Sequence, residues 1–415
     1  MSDPLSVFVE RAAAHDRMFW LDGGGARPWS GRRSILGFLD DDDVSLTYDA
    51  ATREVRRHQG GRASVVGDDI FSVLERELSV DGGAPDVSWV GYLGYACRTD
   101  LAARPGRDGG VVPDAVWMRV RDPLVVEHAP AIAVPDQIAR AGSDATPEWY
   151  AAAFAEVQQE LRRGNSYEVN LTYREEHASV IDPVTAYTRL RAANPAPYAG
   201  FLRHGDVALL SSSPERYATI DRHRWLETKP IKGTTPRGAS PAADEVQRDL
   251  VATDPKFRAE NLMIVDLLRN DLSTVCEPGT VDVPALMQVE SYPSVHQLVS
   301  TVRGRLRGGI GTVEALRALF PAGSMTGAPK RRTMEIIDRV EATPRGVYAG
   351  AFGWIAGDGR ADLGVVIRSL VARRAPHDDG WHYSLGTGGG ITVRSEVDEE
   401  WAETRWKAAR LRAVL

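Results

Sequence analysis

The chain has 415 residues, of which 43% are hydrophobic, and a formal net charge of −7. This length and composition can bury a large core, but the negative charge and the scattered basic residues give no support for nucleic-acid binding. Two cysteines, Cys97 and Cys276, are too few for a disulfide framework or a zinc site. The start of the chain lacks a signal-peptide pattern and no run approaches the roughly 18 apolar residues of a membrane span, so we expect a soluble cytoplasmic protein.

The first third of the chain is predicted to form mostly strands and turns, as in SLTYDA (45–50) and SWVGYLGYA (88–96). Residues 100–112 are rich in Gly, Arg and Pro and are expected to form an exposed loop, and 128–145 leads into the next helix. We place a boundary here, which gives an amino-terminal region, 1–145, and a catalytic region, 146–415. Since little at the boundary resembles a free linker, we expect one closely packed α+β unit.

A helix is predicted to begin at residue 146. Thr146 suits the N-cap, Pro147 the first helical position and Glu148 the first turn. Apolar residues then recur at helical spacing until Gly164: Tyr150, Phe154, Val157 and Leu161. The chain beyond this helix is predicted to mix strands such as VALLSSS (207–213) with further helices.

Lys232, in TKPIKGTTPRG (228–238), is the strongest candidate for a catalytic group. An amine acts as a nucleophile only when neutral, so a lysine, with an ordinary pKa near 10.4, needs burial or a cationic neighbour. Both are available here, because Lys232 follows Pro and Ile and lies close in sequence to Lys229 and Arg237. The alternative from local sequence is a solvated loop lysine.

Two predicted helices carry acidic residues. Asp254 and Pro255 suit the start of a helix that carries Glu260. A second helix near the carboxyl end presents charged residues at spacings of three and four: Glu400, Glu403 and Lys407. Either set alone is typical of a solvated helix surface.

Two further residues are candidates for handling an anionic substrate. Glu215, in SSSPERY (211–217), could act as a general acid if a partly apolar cleft raises its pKa, or could instead form a salt bridge with Arg216 or another basic neighbour. Arg368 lies in an apolar, strand-like run, where it could grip a carboxylate with two hydrogen bonds or form an ion pair with a buried acid.

Seven sequence blocks, in this order, resemble the chorismate-utilising enzymes, which include anthranilate, aminodeoxychorismate, isochorismate and salicylate synthases. The resemblance is strong over 145–415 and weaker through WLDG (20–23) and SGRRSILGF (30–38). It implies an α+β fold with two large antiparallel β-sheets packed as a sandwich, helices outside and a deep active-site cleft. The blocks are SSSPERY (211–217), DPKFRAENLMIVDLLRNDL (254–272), PAGSMTGAPKRR (321–332), RGVYAGAFGWI (345–355), IRS (367–369), GTGGGIT (386–392) and EEWAETRWKAAR (399–410).

The residue after Pro230-Ile231 distinguishes members of this group. Anthranilate synthases resemble PIAGT there, whereas this chain has PIKGT and so resembles the chorismate-aminating component I of aminodeoxychorismate synthases, on the route to 4-aminobenzoate and folate. Neither cysteine lies in a segment that resembles a glutaminase nucleophile elbow, which implies a separate glutaminase subunit that supplies ammonia. The alternatives are anthranilate synthase component I and a non-catalytic, chorismate-binding regulatory subunit.

The resemblance also assigns roles to residues. Lys232 would attack carbon 2 of chorismate while Glu215 protonates the departing 4-hydroxyl, and Glu260 and Glu403 would bind Mg²⁺ directly while Glu400 holds a water. Thr326 could also cap the next helix, and Lys330 could add positive potential to the cleft. The residues expected to bind the substrate, with the last three in a glycine-rich loop, are Gly233, Thr234, Thr326, Tyr348, Arg368, Gly388, Gly389 and Gly390.

Three positions depart from relatives. Phe257 stands where another acid is expected, which thins the predicted metal shell, and Glu168 replaces the lysine that activates water in isochorismate and salicylate synthases. Gln297 stands near a histidine that assists pyruvate elimination in anthranilate synthases, which fits an enzyme that keeps the enolpyruvyl group. His296 should face the other side of its strand, where it could merely pack.

The amino-terminal resemblance raises one regulatory possibility. Similar regions of relatives bind tryptophan, and the residues to inspect for this are Asp22, Gly23 and Ser34.

Overall fold

The computed structural model describes residues 3–23, 33–80, 87–106, 110–127, 145–292, 295–374 and 380–415. Within these ranges the α-helices are α1 (Pro4–Ala12), α2 (Ile70–Val80), α3 (Glu148–Arg162), α4 (Pro183–Ala193), α5 (Pro241–Thr253), α6 (Pro255–Ser273), α7 (Thr312–Leu319), α8 (Lys330–Val340) and α9 (Val397–Arg412). Short 3₁₀ turns lie at Tyr95–Cys97 and Gly323–Met325.

The strands of the described ranges belong to two sheets. In chain order they are β1 (Arg17–Asp22), β2 (Arg33–Leu39), β3 (Ser45–Asp49), β4 (Glu54–Gln59), β5 (Arg62–Gly67), β6 (Val87–Leu93), β7 (Ala115–Arg121), β8 (Leu124–Glu127), β9 (Glu168–Ser179), β10 (Tyr198–His204), β11 (Val207–Ser213), β12 (Arg216–Ile220), β13 (Trp225–Lys229), β14 (Ile231–Pro236), β15 (Asp282–Ser291), β16 (Val295–Arg305), β17 (Gly327–Ala328), β18 (Ala351–Ala356), β19 (Ala361–Val365), β20 (Ser369–Arg374) and β21 (Trp381–Ile391).

The first sheet has nine strands in the order β17-β9-β21-β20-β11-β10-β1-β2-β8. The second has twelve, in the order β14-β16-β13-β12-β19-β18-β6-β7-β3-β4-β5, with β15 paired to β16. Both are antiparallel, as their strand pairs show from β1–β10 through β6–β7. The α+β class and the two large antiparallel sheets are therefore confirmed, and each sheet takes strands from both sides of residue 146.

Apolar side chains from both sheets meet in one buried layer. Phe19, Leu202 and Leu209 come from the nine-stranded sheet, and Val90 and Phe352 from the twelve-stranded sheet. Burial of this kind stabilises by roughly 1.5–3 kcal/mol per large side chain, so the layer fixes how the sheets stack. The packing gives the sandwich that the sequence implied.

Four helices begin in the same way, with an Asp or Ser followed by proline. Asp3, Asp182, Ser240 and Asp254 each accept a hydrogen bond from a backbone N–H of the first helical turn. Proline suits the next position because it needs no N–H partner there and its φ is already helical. The predicted start of the helix carrying Glu260 is thus confirmed.

The start of α3 differs from the prediction. Its N-cap is Pro147, which provides no side-chain cap, while the Thr146 hydroxyl bonds Asp398 at 2.5 Å. The helix then buries the predicted stripe and ends before Gly164, whose φ is 75°. Thr146 therefore joins α3 to α9 instead of capping its own helix.

Several sequence expectations fall near gaps in the description. Residues 128–144, most of the predicted lead into α3, lie outside the described residues, as do 107–109 of the predicted loop and 30–32 of the SGRRSILGF stretch. Cys97 and Cys276 are both buried and unpaired. None of the described helices is long and apolar enough to cross a membrane.

Candidate active site

A cleft lies where the edges of the two sheets approach each other. The nine-stranded sheet contributes residues of β9 and β21, the twelve-stranded sheet contributes β14 and β16, and α6 and α9 close the sides. The predicted site residues that line this cleft are Glu215, Lys232, Gly233, Thr234, Glu260, Tyr348, Arg368, Gly388, Gly390, Glu400 and Glu403. Sequence positions nearly 200 residues apart are thus brought together.

Lys232 joins the two sheets across the cleft. It lies on β14, and its Nζ donates a hydrogen bond to Glu168 Oε1 at the start of β9. Both side chains are almost fully buried, with 8% and 1% of their surfaces exposed. The alternative of a solvated loop lysine is therefore wrong.

The sequence suggested that burial and cationic neighbours would make Lys232 neutral, but its surroundings favour the charged form. Burial alone would lower the pKa of this amine, but the carboxylates of Glu168, Glu260 and Glu215 outweigh burial and raise the pKa above its usual value. The expected cationic neighbours are paired elsewhere, Lys229 with Glu290 and Arg237 with Asp244. Lys232 is therefore held as an ammonium group before substrate binds.

Glu215 has the properties of a general acid. Burial raises its pKa to about 7, even though the positive charge of Lys232 acts in the opposite direction. Arg216, the alternative partner, points away from it and pairs with Glu227 and the Tyr198 hydroxyl. Glu215 can therefore carry a proton near neutral pH.

The predicted metal carboxylates lie on α6 and α9. Glu403 pairs with Lys407 at 2.7 Å, as the helical spacing suggested, and Glu400 pairs with Lys256 at 2.6 Å. Glu260 is buried, its Oε1 lacks a hydrogen-bond partner among the described residues, and burial raises its pKa. An orphaned oxygen of this kind fits a cation ligand.

These carboxylates do not form a ready-made metal cage. No group of three or more His, Cys, Asp or Glu side chains within the described ranges is close enough to hold an ion. Mg²⁺ commonly uses one or two protein carboxylates together with substrate and water, so Glu260 and Glu403 have the right chemistry. Glu403 would have to exchange Lys407 for the ion.

Phe257, the departure from the expected acid, packs against the backbone beside Lys232. Gly233 has a φ of 87°, and a Cβ at this position would lie 2.8 Å from the Phe257 Cγ atom. Glycine is thus required at 233 for two reasons: its φ is positive, and any side chain would overlap the Phe257 ring. Phe257 replaces a charge with an apolar wall of the cleft.

Tyr348 and Arg368 lie together in the lining. Arg368 is in the connection between β19 and β20, with a φ of 50°, and not in a strand as its apolar neighbours suggested. The chain passes here from the twelve-stranded to the nine-stranded sheet. A strained, left-handed arginine at such a crossing is typical of a functional position.

The glycine-rich stretch is part of strand β21, and its prediction as a loop is wrong. Gly388, Gly389 and Gly390 pair with Thr172, Leu171 and Asn170 of β9. A Cβ at Gly390 would collide with Glu168 Oε1 and lie 3.0 Å from Lys232 Nζ. A Cβ at Gly389, which is not among the lining residues, would lie 3.1 Å from Glu400 Oε2.

Two expectations for the segment around 326–330 are wrong. Thr326 is fully buried outside the lining, its hydroxyl bonds the carbonyls of Ala322 and Gly323, and α8 has Pro329 as its N-cap. Lys330 is drawn into the core by Asp271 at 2.7 Å and by the Leu319 carbonyl, so it adds no charge to the cleft lining. Thr326 is held by carbonyls of its own turn, and Lys330 by the carboxylate of Asp271 on α6 together with the Leu319 carbonyl.

The alternation on β16 is confirmed. Gln297 lines the cleft, whereas His296 contacts Ser291 at 2.8 Å and Asp244 at 3.0 Å. His296 therefore ties α5 to the β15–β16 pair through hydrogen bonds and takes no place in the cleft.

The three candidate regulatory residues come together at the end of β1 and on β2, and none of them is among the residues that line the cleft. The Ser34 hydroxyl donates to Asp22 Oδ1 at 3.3 Å and accepts from the Gly23 N–H at 3.3 Å. Arg191 and Tyr187 also donate to Asp22. Tryptophan binding at this cluster stays a prediction.

Sequence reasoning missed some of the cleft residues. Glu168 was considered only as a departure from relatives, and Lys256 not at all, although both contact predicted site residues. Asn170 and Ser324 also line the cleft; Asn170 has a buried side-chain oxygen without a hydrogen-bond partner among the described residues, and Ser324 lies beside Glu215. The block around Lys256 was itself a signal, because Lys256 and Glu260 are four apart on one helix face.

The fold and cleft define a class of protein that sequence comparison identifies. A profile of the family "chorismate binding enzyme" matches residues 132–413, and the chain belongs to this family. The structure resembles that of anthranilate synthase component I from Streptococcus pneumoniae TIGR4, with a TM-score of 0.74, 23% identity and 93% of each chain covered. At this identity the likeness establishes the fold.

Two relatives are similar in sequence along most of the chain. It is 39% identical over its full length to an "Aminodeoxychorismate synthase" of Streptomyces pristinaespiralis, of which it spans 64%. It is 42% identical, over 85% of its length, to "Aminodeoxychorismate synthase component 1" of Klebsiella aerogenes, of which it spans 76%.

Proposed function

We propose that this chain aminates chorismate at carbon 4, giving 4-amino-4-deoxychorismate on the route to 4-aminobenzoate and folate. One observation carries the proposal: Lys232 is buried in the cleft beside Glu215, a carboxylic acid whose pKa is about 7. The names of the two similar synthases support the same reaction. Lysine in the PIKGT stretch favours carbon-4 amination over anthranilate formation.

In the proposed reaction Lys232 is a covalent nucleophile. Its neutral amine attacks carbon 2, both ring double bonds shift by one position toward carbon 4, and the 4-hydroxyl leaves as water with the proton of Glu215. Ammonia then attacks carbon 4 and expels Lys232 with the electron pair of the carbon–nitrogen bond. Glu215 takes the surplus proton from the new amine and is ready for another cycle.

Magnesium is proposed as the cofactor, held by Glu260 and Glu403, with Glu400 orienting a water. When bound, the ion would offset the negative charge of the substrate carboxylate and assist departure of the hydroxyl. Arg368 and Tyr348 line the same cleft and would bind the second carboxylate of chorismate. Gly233, Thr234 and the β21 glycines would supply backbone groups around the ring.

Ammonia is proposed to come from a separate glutaminase subunit. Both cysteines of this chain are buried, and burial raises the pKa of Cys97 and of Cys276, to about 11 for Cys276, so neither is a reactive thiolate. The purified chain should therefore use ammonium salts at alkaline pH and fail with glutamine.

The test is mass spectrometry and NMR of the product made from chorismate, ammonium and magnesium. The proposal expects nitrogen at carbon 4 with the enolpyruvyl group retained. Anthranilate would identify the nearer alternative, anthranilate synthase component I. Chorismate binding without turnover would identify a regulatory subunit.

A further inference from the structure

Glu168 is a buried carboxylate to which the proposed reaction has so far given no role. It is the first residue of β9, it is 0% exposed, and it accepts a hydrogen bond from the Lys232 amine with Oε1. Its second oxygen, Oε2, lacks a hydrogen-bond partner among the described residues. A buried ion pair seldom adds net stability, so one with an unsatisfied oxygen suggests a functional reason.

The chemistry of Lys232 requires a proton acceptor. At an ordinary pKa near 10.4, fewer than about one lysine in a thousand is neutral at pH 7, and the surrounding carboxylates raise the pKa of Lys232 further. The ammonium form has no lone pair. A proton must therefore leave the amine during each turnover.

The charged groups that face Lys232 come from several elements, and most are already committed. Glu215 must enter the reaction carrying its own proton, and Glu260 is a proposed metal ligand. Glu168 is directly hydrogen-bonded to the amine and has neither task. The other charged groups that line this cleft are two acids of α9, Glu400 and Glu403, each paired with a lysine, and the cations Lys256, Arg368 and Lys407.

We propose that Glu168 accepts the proton of Lys232, which makes the amine a nucleophile, and returns it when the lysine departs. The inference rests on the proposed amination. One N–H bond breaks and one O–H bond forms before attack; after ammonia displaces Lys232 as a neutral amine, the same proton moves back. Over one cycle chorismate and ammonia become aminodeoxychorismate and water, and both side chains regain their starting forms.

Burial favours this exchange. The pair is neutral overall both as ammonium with carboxylate and as amine with carboxylic acid, so transfer changes no net charge in the buried cleft. Gly390 lets the backbone of β21 lie close to the pair, because a Cβ at this position would lie only 3.0 Å from Lys232 Nζ. This contact shields the pair from water and keeps the Lys232 amine within hydrogen-bonding distance of Glu168 for the proton transfer.

The test compares Glu168→Gln and Glu168→Asp with wild type, and Glu176→Gln is a matched control on an exposed part of the same strand. Single-turnover reaction with chorismate, without ammonia, measures formation of the lysine adduct between pH 6 and pH 9. Glu168→Gln should be at least tenfold slower than wild type at pH 7, because it keeps a hydrogen-bonding shape but cannot take a proton.

The pH dependence separates proton transfer from positioning. The ratio of the wild-type rate to the Glu168→Gln rate should shrink as pH rises, since hydroxide then removes the proton, while any effect of Glu215 cancels in the ratio. Glu168→Asp should give a ratio that does not change with pH, and Glu176→Gln should match wild type. A Glu168→Gln ratio near one at pH 7, or a deficit constant with pH, would overturn the proposal.

A second measurement needs no turnover and so separates this inference from the proposed function. Acetic anhydride labelling of Lys232 across a pH series, read by peptide mass spectrometry, reports the pKa of the amine. The midpoint should fall in Glu168→Gln, and an unchanged midpoint would refute the pair itself. Failure of wild type to aminate chorismate, with a shifted midpoint, would instead refute the proposed function.

Discussion

The two ends of the cleft both pair a lysine with a glutamate, but they differ in burial. At the inner end the side chains of Lys232 and Glu168 are 8% and 1% exposed, whereas at the outer end those of Lys407 and Glu403 are 28% and 36% exposed. Removing one partner of a buried pair typically costs about 3–5 kcal/mol, while an exposed pair contributes about 0–1 kcal/mol. The inner pair is therefore a fixed part of the structure, and the outer pair can exchange partners when ligands arrive.

Replacing Lys232 should break the inner end completely. Lys232→Ala should lower 4-amination by at least about 100-fold, because it removes the nucleophile, and traces of 2-aminated product would fit ammonia entering at carbon 2. Lys232→Arg should be equally impaired, since arginine keeps the charge but not the amine chemistry. The measurement is product analysis by mass spectrometry, with circular dichroism to check folding. Substantial 4-amination by Lys232→Arg would contradict the covalent mechanism.

Glu215 tests the acid at the same end. Glu215→Gln should lower the rate by about 100-fold or more, because no proton is delivered to the leaving hydroxyl. The wild-type rate should fall as pH rises through about 7, since the folded pKa lies there and only the protonated form donates. This fall is measured from rates in saturating ammonia and chorismate, corrected for the free ammonia present at each pH. If the residual rate of Glu215→Gln still fell as pH rose through about 7, the titration would belong to another group.

Metal binding probes the carboxylates that link the two ends, Glu260 near Lys232 and Glu403 at the outer end. Chelator should abolish activity and magnesium restore it, and Glu260→Ala or Glu403→Ala should weaken magnesium binding by about 10–100-fold or more, the scale on which even supporting groups act. Calorimetry with magnesium in the presence of chorismate measures the affinity. Asp266→Ala, on an exposed face of α6, is the matched control. Full activity in chelator would exclude the metal site.

The smallest effect should come from the exchangeable pair itself. Lys407→Met removes the 2.7 Å ion pair between Lys407 and Glu403, so magnesium affinity should rise by up to about fivefold, the scale of an exposed pair. Arg405 lies on the same helix as Lys407 and pairs with Glu175 of β9, so the control Arg405→Met should leave magnesium affinity unchanged. Weaker magnesium binding in Lys407→Met would show that Lys407 supports the bound state and does not compete with it.

The same contrast explains what the sequence could predict. Local signals sufficed where a residue acts within one element, as in the Asp254 cap of α6 and the Glu403–Lys407 spacing on α9. They failed where the partner comes from another sheet. Glu168 and Lys232 are 64 positions apart on strands that never pair, and only the stacking of the sheets brings them together.

Competing local hydrogen bonds account for other differences. Thr326 could have capped α8, but its hydroxyl bonds two carbonyls of the preceding turn. The GTGGG stretch resembled a loop because glycine is common in loops. Here glycine fits a strand instead, since the space beside Gly390 is filled by Glu168 and Lys232 and that beside Gly388 by Leu171 and Thr172.

The close contact at Gly390 has an evolutionary consequence. A methyl group there would overlap the far ends of the Glu168 and Lys232 side chains, so alanine at 390 would force this pair to move. Positions 168, 232 and 390 should therefore change together among homologous chains, although they belong to three separate strands.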